Sequence, residues 1–105
     1  MAIPAWTVED LDRAVRSGAR LLVDLRADWC PQCGPQEGVV ERVMPAFEGV
    51  AAGSIDVGRY PEVAERHEVV SLPTLLLFRN SRLAECLTGF NPAPLVRAAL
   101  QRLVD

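Results

Sequence analysis

Two cysteines three residues apart stand in the segment Asp28-Trp29-Cys30-Pro31-Gln32-Cys33-Gly34-Pro35-Gln36. A thiolate is both a nucleophile and a metal ligand, so this spacing supports two chemistries. Where a strand gives way to a helix, free N–H groups and roughly half a positive charge at the helix start stabilise a sulfur anion. A second thiol one turn on is close enough to resolve a mixed disulfide formed by the first. Pro31, directly after Cys30, has its backbone torsion pre-set for a first helical turn. Zinc uses the same spacing, but a four-ligand site usually takes a second pair. Only Cys86, His67 and carboxylates remain, with no second Cys-x-x-Cys and no His-x-x-x-His. Thiol exchange is favoured over a mononuclear metal, and a cluster shared between two chains stays open.

The elements that must hold this segment are legible on either side of it. Thr7, with Asp10 three residues later, predicts a capped helix carrying Val8, Leu11 and Val15 and ending at Gly18. Residues 21–25 form an apolar run that predicts a buried strand, with one carboxylate, Asp24, inside it. Val39, Val40, Val43, Met44 and Phe47 make a helical stripe, which Pro45 must kink or split. Residues 54–57 predict a second strand, and Pro61 opens a short helix to about His67. Residues 74–78 predict a third strand, turned at Asn80-Ser81 into a partner over residues 83–88 that Gly89 ends. A last helix opens at Asn91-Pro92 and shows Leu95, Val96, Ala99, Leu100 and Leu103 on one face. Strands linked through helices are expected to pair in parallel, and the last two as an antiparallel hairpin. The expected class is α/β, a mixed sheet with helices on both faces. If the helix after the cysteines starts near Pro31, Pro35 must distort it. The alternative start is Pro35 itself, capped by Gly34.

Composition bounds the rest. The chain has 105 residues, half of them apolar, which is enough for one domain spanning residues 1–105. Net charge is −3, and all eleven basic residues are arginines scattered along the chain, so no basic stripe argues for nucleic acid. No run approaches the ~20 apolar residues of a membrane span. The opening residues lack a basic region followed by an apolar one, so a cytoplasmic setting is expected. A secreted form with its leader removed would read the same way. Three cysteines are too few, and odd in number, for a scaffold built on disulfides.

With these residues in place the chain resembles the thioredoxin family. The resemblance is carried by LLVDLRADWCPQC (residues 21–33), SIDV (54–57), VVSLPTLLLFRN (69–80) and LTGF (87–90). It implies the thioredoxin fold and roles by position. Cys30 is the expected attacking thiol and Cys33 the resolving one, joined as the redox-active disulfide. Asp24 matches a buried aspartate that moves a proton to or from the resolving cysteine. Pro73 matches a cis-proline that presents the Leu72 backbone to a substrate strand and shields the cysteines from metals. Trp29, Pro31, Gln32 and Gly89 join Leu72 and Pro73 as the expected substrate groove.

The chain also departs from the family. Pro31-Gln32 replaces the Gly-Pro common in reductases. Arg26 replaces an aromatic; a cation there would lower the Cys30 pKa or select acidic partners. Ser54 replaces a lysine that pairs with the aspartate, so burial should raise Asp24. The expected activity is reduction of protein disulfides without metal or organic cofactor. A recycling reductase such as a thioredoxin reductase would reset it, and a monomer is expected. The alternatives are a binding or chaperone module on the same fold, and a more oxidising oxidase or isomerase. Cys86 reads as a buried or bystander thiol, and His67 as exposed.

Overall fold

The computed structural model describes residues 2–105. Elements follow in the order α1 (Val8–Arg16), β1 (Arg20–Arg26), α2 (Cys33–Val43), a 3-10 turn (Met44–Ala46), β2 (Val50–Asp56), α3 (Pro61–Arg66), β3 (Thr74–Arg79), β4 (Arg82–Thr88) and α4 (Ala93–Val104). The strands lie in the order β2-β1-β3-β4.

Alternation along the strands sorts side chains into two apolar layers. Leu22, Leu75 and Leu77 meet Val40 and Val43 of α2 and Val96 and Leu100 of α4. Val23, Leu25 and Leu76 meet Leu11 of α1 and Val63 of α3 on the other side. Leu22, Leu25, Leu75, Leu76 and Leu77 are wholly buried, as strands covered on both faces require. Truncating one of them to alanine should cost about 2–5 kcal/mol. The α1 start is fixed as expected: Asp10 N–H donates to Thr7 Oγ1 (3.1 Å) and Thr7 N–H to Asp10 Oδ2 (3.0 Å). Pro45 does split the helical stripe, since α2 stops at Val43 and a 3-10 turn follows.

The strand directions correct one expectation and position the site. β1 and β2 are parallel, and β3–β4 is the expected antiparallel hairpin. However, β3 does not pair in parallel through α3; it lies antiparallel to β1, with Leu25 opposite Thr74. The reason is length. Six residues of α3 rise only about 9 Å, whereas a seven-residue strand spans about 23 Å. The chain leaving β2 never crosses back over the sheet, so β3 starts where β1 and β2 finish. Three connections therefore gather at one sheet edge: those after β1, before β3 and after β4.

Candidate functional site

The segment after β1 leaves the sheet through two tight turns. Cys30 N–H donates to the Ala27 carbonyl (3.2 Å), and Cys33 N–H to the Cys30 carbonyl (3.3 Å). Helix α2 then begins at Cys33, with its first intrahelical bond from Gln36 N–H to the Gln32 carbonyl (3.0 Å). Neither expected start, Pro31 or Pro35, is the observed one. Pro35 explains the later start. As third helical residue it lacks an N–H that would have had no intrahelical partner anyway. Pro31 and Gln32 are exposed in the preceding turn.

Cys30 and Cys33 are disulfide-bonded, with their Cα atoms 5.5 Å apart. Cys33 is buried at 2% exposure, while Cys30 is half-buried at the rim. One sulfur thus faces outward and the other sits under it.

Asp24 lies on the α2 side of β1, between Ser54 on β2 and Leu75 on β3. It is wholly buried, and neither carboxylate oxygen has a hydrogen-bond partner among the described residues. Ser54 supplies no countercharge. Burial pushes the Asp24 pKa up to about 7; the Glu37 carboxylate adds to the rise, and the Arg26 guanidinium opposes it. Glu37 stands four residues after Cys33 and so shares its face of α2. Arg26 is already engaged: Nη2 pairs with Asp28 (3.0 Å) and Nη1 with Asp56 (3.6 Å). Little of its charge is left over for a thiolate.

A shallow apolar groove of about 370 Å³ runs beside Cys30, walled by Trp29, Pro31, Val69, Val70 and Leu72. Trp29 is 69% exposed and Val70 is 98% exposed. The Leu72–Pro73 peptide bond is cis. Among the described residues, the Leu72 N–H and carbonyl make no hydrogen bond within the chain. Pro73 is buried next to them. Gln32, Pro73 and Gly89 do not line this groove. Gly89 turns the chain with φ +76° beyond β4. Since Thr74 pairs with Thr88, Gly89 lies beside Pro73 at the same edge.

Other residues stay outside. Cys86 is an exposed free thiol on β4, opposite Leu76, so of the buried and bystander readings the buried one is corrected. His67 is half-buried rather than exposed, with its ring edge-on to Phe78 at 5.6 Å. Burial holds it below its ordinary pKa, helped by Arg66. The described residues contain no cluster of three or more His, Cys, Asp or Glu able to share a metal ion, and among them no helix is long and apolar enough to cross a membrane.

Sequence reasoning missed three contributors. Glu37 was hidden on a polar helix surface. Gly58 makes room for Trp29: a Cβ there would lie 2.8 Å from the indole ring. Gln36 is wholly buried and bonds both backbone groups of Asn91. An amide one turn before Val39 and Val40, on an otherwise apolar stripe, was the signal available for it.

A mixed four-stranded sheet, helices on both faces and a disulfide-bonded cysteine pair between a strand and a helix, with a cis-proline at the same end of the sheet, define a class, the thiol–disulfide oxidoreductases. The family model for thioredoxin matches residues 3–102, and the chain belongs to the thioredoxin family. It is 38% identical to a thioredoxin of Staphylococcus aureus over 93 residues, 88% of each chain. Among solved structures it is similar to a thioredoxin mutant from Halobacterium salinarum, with TM-score 0.84 and 25% identity over 99% of this chain and 90% of that one. A Plasmodium falciparum thioredoxin shares the fold at TM-score 0.87 and 21% identity, over 95% and 98% of the two chains.

Proposed function

We propose that this chain, folded as one domain, reduces disulfide bonds in protein substrates. Cys30, as thiolate, attacks one sulfur of the substrate disulfide. That S–S bond breaks, its second sulfur leaves as a thiolate, and Cys30 is joined to the substrate. Cys33 then gives its proton to the Asp24 carboxylate and attacks Cys30 Sγ. The substrate's remaining sulfur departs as a thiolate. The substrate has gained two electrons, and Cys30–Cys33 is the oxidised product. An external reductase, of the thioredoxin-reductase kind, returns the pair to dithiol. A cytoplasmic setting suits a pair kept reduced in this way.

Asp24 supports the proton step because a carboxyl with a pKa about 7 can both take and release a proton near neutrality. The groove supports a peptide substrate. Trp29 and Val70 offer apolar contact, and the unpaired Leu72 backbone offers hydrogen bonds to an extended chain.

The observation that carries the reducing direction is the scarcity of anion-stabilising groups around Cys30. A strong oxidant is one whose reduced thiolate is unusually stabilised. Here α2 starts three residues after Cys30, Pro31 and Gln32 carry no charge, and Arg26 is bound by two carboxylates. The dithiol is therefore left a ready electron donor. The test is insulin reduction by dithiothreitol with and without the protein. Acceleration that vanishes in Cys30→Ser supports the reading. Retained partner binding without any acceleration would replace it with a binding module.

A further inference from the structure

One side chain ties the loop after β4 to the helix that begins at Cys33. Gln36 Nε2 donates to the Asn91 carbonyl (3.0 Å), and its Oε1 accepts from the Asn91 N–H (2.7 Å). A single amide thus takes both backbone groups of one residue, as a neighbouring strand would. Asn91 Nδ2 in turn donates to the Gly89 carbonyl (2.9 Å). Residues 89 and 90 are held at both ends. On one side Thr88 pairs with Thr74, next to Pro73; on the other, Asn91 is fixed three helical residues after Cys33. Between them Gly89 takes φ +76° and Phe90 remains 39% exposed.

Packing alone does not favour this amide. Gln36 is 0% exposed, and an apolar side chain there would avoid the cost of burying polar atoms. Its two bonds make the burial tolerable, and they do so by fixing a loop rather than by filling space. The strand order and directions put Cys30 after β1, Pro73 just before β3 and Gly89 after β4, all at the same end of the sheet. Residues 89 and 90 therefore stand on the far side of Pro73 from Cys30. Residues 89 and 90 lie outside the groove beside Cys30, so only a polypeptide long enough to extend from Leu72 past Pro73 would reach them, whereas a small disulfide would meet only the sulfur and its immediate surroundings.

We propose that Gln36 is a positioning residue for protein substrates: its buried amide locks residues 89–91 to the cysteine-bearing helix and so sets the far wall of the substrate site. The inference rests on the reading of the chain as a protein-disulfide reductase. It predicts selectivity between large and small disulfides rather than a change in thiol chemistry.

The experiment compares wild type with Gln36→Met, which keeps the length and loses both hydrogen bonds, well below either melting temperature. Insulin is the protein substrate and an aromatic disulfide such as dithiobisnitrobenzoate the small one. The expected result is a KM for insulin raised about ten-fold, the scale of a lost buried hydrogen bond. The kcat for insulin and the rate with the small disulfide should both stay within about two-fold, because thiol reactivity is set by the untouched cysteines. Equal slowing of both substrates, or unchanged kinetics with a lowered melting temperature, would overturn the inference. If Gln36→Met does not fold, Gln36→Glu decides the matter. A protonated carboxyl can donate and accept as the amide does, whereas an ionised one cannot donate to Asn91. KM for insulin should then be near wild type in acid and rise towards alkaline pH, and a KM equal to wild type throughout would overturn the inference. A wild type that reduces the small disulfide but not insulin would remove the underlying functional reading, and the inference with it.

Discussion

Replacing Asp24 by asparagine should abolish most of the decline in stability that the protein undergoes between acid and neutral pH. In the unfolded chain Asp24 releases its proton at the ordinary value of 3.8; in the folded protein it does so at about 7. Between these values the folded state holds a proton that the unfolded state has lost. Stability therefore falls as pH rises through this window, and the fall is complete once the folded carboxyl has ionised. Each pH step of one is worth about 1.36 kcal/mol, so the whole window is worth about 4 kcal/mol. The cause is specific: a carboxylate at 0% exposure whose oxygens have no hydrogen-bond partner. Asparagine has nearly the same shape and no charge to bury. Urea unfolding of the oxidised proteins across the pH series measures the difference directly. The Asp24→Asn variant should gain about 4 kcal/mol on wild type from the acid to the alkaline end. Parallel pH profiles for the two proteins would refute the assignment of a buried, uncompensated carboxylate.

Three further outcomes test the surrounding geometry. Glu37→Gln removes the anion that adds to the Asp24 rise, so carbon-13 NMR should find the Asp24 carboxyl titrating lower than in wild type, and an unchanged titration would sink the electrostatic link. Pro35→Ala should lower stability by about 0.4–1 kcal/mol, because the native helix accepts proline at that position and alanine only loosens the unfolded chain; a gain in stability by urea unfolding would mean that Pro35 had been breaking a helix begun at Pro31. Gly58→Ala puts a Cβ where the Trp29 ring lies, so Trp29 fluorescence in a Trp6→Phe background should shift and KM for insulin should rise several-fold, about the effect of losing one apolar contact. A variant with wild-type fluorescence and KM would show that Trp29 is not held there.

Much of this was legible because the decisive signals are local. The apolar runs that became β1 and β3, the Thr7–Asp10 cap and the Asn80-Ser81 turn, where both residues take positive φ, each depend on a few adjacent residues. The cysteine spacing is local too. The strand direction of β3 is not legible, because seventeen residues between Asp56 and Thr74 are ample for a parallel crossover. Only the shortness of α3 in space decides against it. The start of α2 was missed because proline is acceptable at several early helical positions, and Pro31 and Pro35 compete for that role. The partners of Gln36 and Glu37 lie across the fold, fifty-five residues away for Asn91, and no spacing rule connects them. Cys86 reads as a buried or a bystander thiol because free cysteines are among the most buried residues; β4 is an edge strand with that side left open, so only the bystander reading fits.

The central claim is that Cys30 and Cys33 exchange electrons reversibly within one molecule and donate them to protein disulfides. Equilibrating the protein in glutathione redox buffers and counting its thiols gives the potential of the pair. The expected result is a single two-electron couple at or below about −220 mV, lost in Cys33→Ser. A potential near about −120 mV, that of a strong oxidant, would contradict the claim, as would a pair that never forms an intramolecular disulfide.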